Sequence, residues 1–362
     1  MSRPEPSDGD FIFNFEKGRQ CVKVLVTGGA GFIGSNFVRF LLSAPRDVEI
    51  VNFDKLTYAG NPESLADVAQ DPRYHFICGD IADRKAVGEL FRRGFDAVVH
   101  FAAETHVDRS IENASPFLHT NIVGTQCLLE AVREFRNIRF IHISTDEVYG
   151  SAPAGVKFKE EAPLDPQSPY AASKASAEHF VTAYANTFGI SSVILRCTNN
   201  FGPFQFPEKL IPLIIANASE DKSLPIYGDG MQERDWLFVQ DYCRAIALAL
   251  EQAKPGSTYN VSSGLSQPNL KVVRTILQFL GKPESLLQYV KDRPGHDRRY
   301  ALDSSKIQRE LGWSPTVSFE DGIRRTIEWY KGNSEWLDHA RSGEYRNYYE
   351  RHYKRRSETF RS

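Results

Sequence analysis

The chain has 362 residues, of which 41% are hydrophobic and 25% charged, and its formal net charge at pH 7 is -2. This composition is typical of a globular protein, and the small net charge gives no electrostatic reason to expect nucleic acid or an acidic membrane surface as a partner. No apolar run approaches the roughly 20 residues that cross a bilayer. The five dispersed cysteines predict neither a disulfide framework nor a zinc site, so we expect a cytoplasmic protein with reduced thiols.

Strands and helices alternate from Val22 onward, after a stretch (residues 1–20) that we interpret as a flexible N-terminal extension. Because parallel neighbours need long crossovers, this rhythm predicts an α/β fold with a doubly wound parallel (Rossmann-type) sheet over residues 21–200. Short β-branched and aromatic runs predict its strands at 22–26, 49–53, 74–78, 97–101, 139–143 and 192–196, with helical stretches that include 32–42, 112–135 and 169–188.

The rhythm changes after about residue 200, where prolines become frequent and the strand signals shorten. Strands are predicted in PIYG (225–228) and TYNV (258–261), with helices at 241–253 and 269–280. We assign residues 201–362 to a smaller mixed α/β region that packs beside the sheet. No low-complexity linker separates the two parts, so we expect a soft, interleaved boundary.

The segment VLVTGGAGFIGS places Gly28, Gly31 and Gly34 directly after the first strand and at the start of a helix. In that context glycine permits a tight turn, lets a diphosphate approach the backbone and lets the helix pack closely on the strand. The helix N-terminus then offers N–H groups to the phosphates. Twenty residues after Gly34, the second strand ends at Asp54. Its carboxylate would accept hydrogen bonds from the ribose hydroxyls and repel a 2′-phosphate. The pattern predicts NAD, with an incidental glycine-rich turn as the alternative.

The segment FIHISTDEVYG (140–150) begins as a buried strand and ends in polar side chains. A sheet interior would desolvate these groups at a cost on the order of a few kcal/mol each if they stayed unpaired. The strand is therefore expected to end at Ser144 and to release Thr145, Asp146 and Glu147 into the crevice at the carboxyl ends of the strands. A solvated turn that merely contains acids is the alternative.

Tyr170 and Lys174 are four residues apart in SPYAASKASAEHF, so a helix places both side chains on one face. An ammonium next to a phenol favours the phenolate and lowers the tyrosine pKa. Such a tyrosine can remove a proton from a sugar hydroxyl. The pair alone is common by chance, and only its combination with the glycine turn and Thr145 makes it a candidate site.

Together these segments resemble the extended short-chain dehydrogenases/reductases that act on nucleotide sugars, and most closely their 4,6-dehydratases. One departure is Thr105, where the family usually has serine; the hydroxyl is retained. The matching segments occur in order over about residues 22–330: TGGAGFIGS, DKLTYAGN, AAETHVDRS, STDEVYG, SPYAASKASAEH, NNFGPFQFPEKLIP, RDWLFVQDY and DRPGHDRRYALD.

The resemblance implies that NAD is the cofactor and that a glucose unit on a nucleoside diphosphate is the substrate. Oxidation at C4, served by Thr145, Tyr170 and Lys174, acidifies the C5 proton. Glu147 would remove that proton, Asp146 would protonate the departing C6 hydroxyl, and the hydride would return to C6. Adjacent carboxylates suit these roles because like-charge repulsion keeps one protonated while the other is ionised.

The two adjacent acids, Asp146 and Glu147, also help to distinguish a dehydratase from related enzymes. The related 4-epimerases typically lack it and the decarboxylases typically keep one acid, so the pair favours a dehydratase over a UDP-sugar 4-epimerase or decarboxylase. A non-catalytic binding protein on this fold would have no chemical reason to retain the five catalytic candidates. The nucleotide stays open between thymine and uracil, since one methyl group is worth only about 1 kcal/mol.

The resemblance further implies two sets of contacts. Arg and Lys suit a diphosphate because charge-assisted bonds to phosphate are strong, and a proline–tyrosine surface suits a pyrimidine base. Asp80 is either an adenine contact or the N-cap of the next helix. The cofactor set is Gly28, Gly31, Phe32, Ile33, Gly34, Asp54, Lys55, Thr57, Asp80, Ile81, Ala102, Ala103, Thr105, Thr120, Tyr170 and Lys174. The substrate set is Thr105, Thr145, Asn200, Lys209, Leu210, Pro225, Tyr227, Arg234, Asn269, Arg293, His296 and Tyr353.

Two further expectations concern partners and metals. The family's homodimers pair the helices near 112–135 and 169–188, so the resemblance implies a homodimer. No metal is expected, because His100 and His106 lack further ligands at suitable spacing.

Overall fold

A computed structural model describes residues 21–43, 47–342 and 349. Within them, twelve strands follow the short β-branched and aromatic runs, most of them buried along their length because the large sheet is covered on both faces. The strands are β1 Val22–Thr27, β2 Val48–Asp54, β3 Tyr74–Cys78, β4 Ala97–His100, β5 Arg139–Thr145, β6 Ser192–Cys197, β7 Asn199–Phe201, β8 Leu224–Tyr227, β9 Glu233–Phe238, β10 Ser257–Val261, β11 Ser266–Pro268 and β12 Leu287–Val290.

Seven of these strands form one large sheet in the order β10-β6-β5-β4-β1-β2-β3. Every pairing in it is parallel, beginning with Val22 opposite Val48 between β1 and β2. The order runs outward in both directions from the β1–β4 pair, which leaves a crevice at the carboxyl ends of those strands. The prediction of a doubly wound parallel sheet is confirmed.

Helices cover both faces of the large sheet. On one face, Phe37 and Leu41 of α1 share a core with Ile246 and Leu250 of α8; on the other, α2, α5 and α6 pack over a separate core. The helices are α1 Phe32–Ser43, α2 Arg84–Phe91, α3 Val107–Glu112, α4 Ser115–Phe117, α5 Thr125–Phe135, α6 Pro169–Phe188, α7 Leu210–Ser219, α8 Val239–Gln252, α9 Asn269–Leu280, α10 Ser305–Leu311, α11 Phe319–Gly332 and α12 Ser334–Ala340.

Helix α6 begins and ends where the sequence predicted. The Ser168 side chain accepts from the backbone N–H of Ala171, Pro169 occupies the first helical position, and Gly189 ends the helix in the left-handed conformation at φ 69°. Each of these is the residue type that its position favours. The expected helical stretch at 112–135 is instead several pieces, with a π-helical segment at Leu118–Gly124 between α4 and α5.

The smaller region contains a three-stranded sheet in the order β11-β9-β7 and the parallel pair β12-β8. Its core is formed by residues of α7, α9, α11 and α12 together with residues of β7, β8 and β9. The prediction that TYNV (258–261) belongs to this region is wrong: β10 pairs with β6 as the edge strand of the large sheet. The boundary at residue 200 stays a prediction. The chain enters the smaller region at β7, returns to the large sheet for α8 and β10, and then enters the smaller region again.

Candidate active site

A cleft crosses the carboxyl ends of β1, β2, β4 and β5 and continues to the segment that follows β7. Every residue of the predicted cofactor set lines it, and so do Thr145, Asp146 and Glu147. Of the predicted substrate set, Asn200 and Lys209 line it together with Thr105. The sheet brings these residues together because the ends of parallel strands meet at one edge.

The glycine turn is as tight as the sequence suggested. Gly28 has φ +72°, and a Cβ there would lie 2.5 Å from the backbone nitrogen of Ala102. A Cβ on Gly34 would lie 2.3 Å from the carbonyl oxygen of Gly28. Any side chain at either position would therefore push the first turn of α1 away from the sheet, and the amide groups of that turn would no longer face the cleft.

Asp54 has a second role that the sequence did not indicate. Its carboxylate accepts from the backbone N–H of Ala30 at 2.9 Å and from that of Leu56 at 2.8 Å. Burial raises its pKa, and these two backbone hydrogen bonds oppose the rise. Asp54 thus holds the glycine turn and the loop after β2 together while its remaining lone pairs line the cleft.

Asp80 is not the N-cap of α2; that position belongs to Asp83, whose side chain accepts from the N–H groups of Lys85 and Ala86. Asp80 instead accepts from Ala82 N and forms a 2.6 Å ion pair with Lys55. Its contact with adenine stays a prediction.

Tyr170 and Lys174 are both buried on the face of α6 that lies against β5. The Lys174 Nζ donates to the carbonyl oxygen of Ile143 at 2.7 Å, and burial lowers its pKa to about 8. The prediction that Tyr170 has a lowered pKa is wrong for the protein alone. Burial raises it well above its ordinary value and the Glu147 carboxylate adds to the rise, whereas a hydrogen bond with Thr145 opposes it.

The acidic pair occupies a 3-10 turn, Asp146–Tyr149, that follows β5 directly. The strand includes Thr145, one residue beyond the predicted end. The Thr145 hydroxyl donates to Asp146 Oδ1 at 3.2 Å, and Asp146 Oδ2 is buried without a hydrogen-bond partner. Burial raises the pKa of Asp146 well above its usual value, and the neighbouring Glu147 raises it further. Both effects favour the protonated form of Asp146.

Glu147 lies in a different electrostatic environment. Burial raises the pKa of Glu147 as well, but the Arg293 guanidinium opposes the rise, followed by Lys209 and Arg234. Three cations that come from distant parts of the sequence therefore surround one carboxylate. Two adjacent acids are thus distinguished by their surroundings, as acid–base pairs in active sites often are.

Other buried polar atoms without a hydrogen-bond partner also belong to residues lining the cleft. Among them are Ser144 Oγ, Asn199 Oδ1, Asn200 Oδ1 and Gln205 Oε1. Buried polar groups are rarely left unpaired, so these atoms suit a polar ligand. Together with the glycine turn and Asp54, they fit NAD. The sequence reasoning missed Ser144, Asn199 and Gln205, although the first two lie at strand ends, which is a readable signal.

The predicted phosphate contacts gather at one side of the acidic pair. Arg234 of β9 is buried, donates to the carbonyl oxygens of Glu233 and Asp297, and lies 4.1 Å from the centre of the Tyr300 ring. Arg293 has a buried Nε without a hydrogen-bond partner. The Nδ1 atom of His296 lies 2.6 Å from the Asp292 carboxylate.

The remaining substrate candidates border this group or lie elsewhere. Leu210 begins α7 and Asn269 begins α9, with the Asn269 Oδ1 buried and lacking a hydrogen-bond partner. Pro225 and Tyr227 lie in β8, and the Tyr227 hydroxyl donates to Asp108 at 3.3 Å. Tyr353 lies outside the described residues. These substrate contacts stay predictions.

The two histidines considered as metal ligands, His100 and His106, both have hydrogen-bond partners within the fold. His100 lies between the Thr27 and Thr125 hydroxyls, and His106 is the N-cap of α3. Among residues 21–43, 47–342 and 349, no group of three or more His, Cys, Asp or Glu side chains is placed to hold a metal ion. In the same ranges, no helix is both long enough and apolar enough to cross a membrane.

This fold and site are those of a short-chain dehydrogenase/reductase with an added acidic pair, and comparison with known proteins gives the family. The family model described as GDP-mannose 4,6 dehydratase matches residues 25–326. The chain belongs to this family, which confirms the resemblance drawn from the motifs.

Similar curated proteins have names that specify the substrate as dTDP-glucose. The dTDP-glucose 4,6-dehydratase of Shigella flexneri is 49% identical over 92% of this chain and 100% of its own length. The dTDP-glucose 4,6-dehydratase 1 of Escherichia coli K12 is 50% identical over the same shares.

Solved structures agree with these matches. DesIV, a dTDP-glucose 4,6-dehydratase from Streptomyces venezuelae solved with NAD and TYD, is 49% identical with a TM-score of 0.85, covering 88% of this chain and 100% of that one. The UDP-glucose 4-epimerase of Thermus thermophilus, solved with NAD, is 34% identical with a TM-score of 0.80, covering 86% of this chain and 100% of that one. Since the epimerase shares the fold, the fold does not separate the two activities.

Proposed function

We propose that the protein is an NAD-dependent dehydratase that converts dTDP-glucose to the 4-keto-6-deoxy sugar and water. The observation that carries the proposal is the pair Asp146 and Glu147, two adjacent carboxylates at the end of β5 in unlike surroundings. The high pKa of Asp146 makes it a proton donor, and the cations near Glu147 favour its ionised form. A 4-epimerase needs neither group.

The first step uses Thr145, Tyr170 and Lys174. Bound NAD would supply the chemistry of accepting a hydride from C4 of the sugar and returning it to C6. The Thr145 hydroxyl orients the C4 oxygen, and Tyr170 takes the C4 hydroxyl proton. With a pKa of about 8, Lys174 is mostly protonated at pH 7, and its charge favours the phenolate form of Tyr170.

The elimination uses the acidic pair. The C4 ketone acidifies the C5 proton, Glu147 removes it as general base, and Asp146 protonates the C6 hydroxyl as it leaves as water. Burial raises the pKa of Asp146 and so favours the protonated form that this role needs. After C6 is reduced, the proton held by Glu147 returns to C5.

A paired substrate assay tests this function. The protein is incubated with dTDP-glucose or UDP-glucose, and the product mass and proton spectrum are measured. A product lighter by one water is expected from dTDP-glucose without added reductant, with UDP-glucose turned over about fivefold less efficiently, as one methyl group permits. A galactose nucleotide as product, or NADH released in step with turnover, would instead support an epimerase or a simple dehydrogenase.

The thymine preference rests on what the relatives are named to act on and on Pro225 and Tyr227 as a flat surface in β8. Cytoplasmic location is proposed because the five cysteines, Cys21, Cys78, Cys127, Cys197 and Cys243, are all free thiols, which a reducing compartment maintains.

Replacing Arg293 by alanine should mainly raise KM for dTDP-glucose, by about 10- to 100-fold, because charge-assisted bonds to phosphate contribute in the ground and transition states alike. The acidic limb of the kcat profile should also move to higher pH. Arg293 lowers the Glu147 pKa, so its loss raises that pKa and delays ionisation of the base. Steady-state kinetics from pH 5 to 9 measure both effects, and Arg298→Ala, an exposed arginine paired with Asp229, is the control. A large fall in kcat with KM unchanged would contradict this role.

We also propose that two copies pair through the surface formed by Leu118–Gly124 and α6. Leu118 is 52% exposed and Val123 44% exposed on that segment, and Phe180 and Phe188 are exposed on α6. Apolar side chains concentrated on neighbouring helices are typical of a covered interface.

The substitution Leu118→Glu should convert the dimer to monomers, because a carboxylate would be buried at a self-complementary interface. Light scattering coupled to size exclusion measures the mass. Leu265→Glu, at a leucine that is 64% exposed elsewhere, should leave the mass unchanged. A wild-type protein that is monomeric would refute the pairing.

A further inference from the structure

A buried polar network lies behind the acidic turn, on the side away from the cleft. Its centre is Arg196 of β6, which forms a bidentate ion pair with Glu178 of α6: Nε donates at 2.9 Å and Nη2 at 2.7 Å to the same carboxylate oxygen, and Nε also donates at 3.1 Å to the other. Both side chains are buried. A buried ion pair of this kind costs desolvation that hydrophobic residues would avoid, so its presence calls for a reason beyond stability.

The network reaches the acidic turn through one residue. Arg196 Nη1 donates to the Tyr149 hydroxyl at 2.5 Å, and that hydroxyl donates to Asn260 Oδ1 of β10 at 2.9 Å. Tyr149 is the last residue of the turn that carries Asp146 and Glu147. Its ring also stacks on Phe158, with centroids 5.1 Å apart, so both the ring and the hydroxyl of Tyr149 are fixed.

The same arginine is tied to the catalytic helix. Glu178 lies four residues after Lys174 on α6, one turn further along, and its charge raises the Lys174 pKa against the effect of burial. Arg196 Nη1 additionally donates to the Glu160 carbonyl oxygen at 3.0 Å. One guanidinium thus fixes the distance between the helix that carries Tyr170 and Lys174 and the turn that carries the two acids.

We propose that Arg196 and Tyr149 are positioning residues for the elimination step. They hold the carboxylates of Asp146 and Glu147 in place relative to the sugar, whose C4 is oxidised next to Tyr170 and Lys174. The proposal rests on the proposed dehydratase function. It predicts that removing the hydrogen bond between Arg196 and Tyr149 slows elimination more than oxidation, because Thr145, Tyr170 and Lys174 keep their own contacts.

The test is Tyr149→Phe, which keeps the stacked ring and removes the hydroxyl. Two readouts are compared with wild type: deuterium uptake by the amides of residues 145–151 in the protein without ligands, and NADH absorbance after mixing the NAD-loaded enzyme with dTDP-glucose. Tyr259→Phe is the matched control, since Tyr259 lies in β10 next to Asn260 and its hydroxyl bonds Glu310 at 2.8 Å rather than the turn.

Faster uptake confined to the turn is expected, with kcat lower by about 10-fold, KM within about twofold, and a larger transient of NADH than in wild type or the control. Unchanged uptake and kinetics would overturn the proposal, and so would a loss of activity in which NADH formation slows equally, since that marks a merely structural role. If Tyr149→Phe does not fold, Arg196→Lys is measured with the same two readouts and judged by the same outcomes. A lysine retains the positive charge opposite Glu178 but lacks the guanidinium group that reaches Tyr149. A wild-type enzyme that leaves dTDP-glucose unchanged would instead overturn the function itself.

Discussion

Replacement of Glu147 by glutamine should let the enzyme oxidise dTDP-glucose and then stop. The amide keeps the size of the side chain but cannot accept the C5 proton, while Thr145, Tyr170 and Lys174 remain in place. NADH absorbance should therefore rise on the enzyme after mixing and stay high, and kcat for the keto sugar should fall by about 10²- to 10⁴-fold, the range that a positioned general base contributes. Exchange of the C5 hydrogen with deuterated water should be lost in parallel.

The control for this variant is Glu161→Gln, which changes an exposed glutamate in the segment between the turn and α6. It should behave as wild type. The turnover rate of Asp146→Asn should lie between those of Glu147→Gln and Glu161→Gln. Exchange of the C5 hydrogen survives in this variant, but the C6 hydroxyl lacks its proton donor. Near wild-type turnover by Glu147→Gln would mean that the acids are ordinary turn residues, and the dehydratase proposal would lose the observation that carries it.

Replacement of Tyr170 by phenylalanine should prevent the first step. No other side chain of the α6 pair can take the C4 proton, since the Lys174 Nζ already donates to Ile143 and is mostly protonated at pH 7. No NADH should appear after mixing with substrate, kcat should fall by about 10²- to 10⁴-fold, and dTDP-glucose should still bind with nearly unchanged affinity by calorimetry.

Tyr184→Phe is the matched control on the same helix, because the Tyr184 hydroxyl contacts Glu130 and Gln126 on α5 rather than the cleft. The two variants at Tyr170 and Glu147 together separate oxidation from elimination. NADH formation in Tyr170→Phe at a rate close to wild type would show that another group is the base.

Much of the site was accessible from local sequence. Gly28 and Gly34 could be identified because a turn this tight excludes side chains within a few residues of chain, and a short pattern records that constraint. Tyr170 and Lys174 could be identified because helical spacing alone places them on one face. The strand bounds followed from the apolar runs, since a parallel sheet covered on both faces requires them.

Other features depend on residues that are distant in the sequence. TYNV looks like any short strand, and only the pairing of Ser257–Val261 with β6 places it in the large sheet. Asp83 rather than Asp80 caps α2 because hydrogen-bond geometry, which two nearby aspartates do not distinguish in sequence, decides between them.

The chemical groups of the site and their order along the strands could be read from local sequence patterns. The direction of their pKa shifts depends on the tertiary structure. Tyr170 has a raised pKa, contrary to the local argument from Lys174, because burial and the Glu147 carboxylate raise it and the Thr145 hydrogen bond opposes them only in part. Asp146 and Glu147 differ because one lies buried with an unpaired oxygen while the other faces Arg293, Lys209 and Arg234. Desolvation and Coulomb interactions depend on distance in space, and the fold sets those distances between residues that are far apart in the sequence.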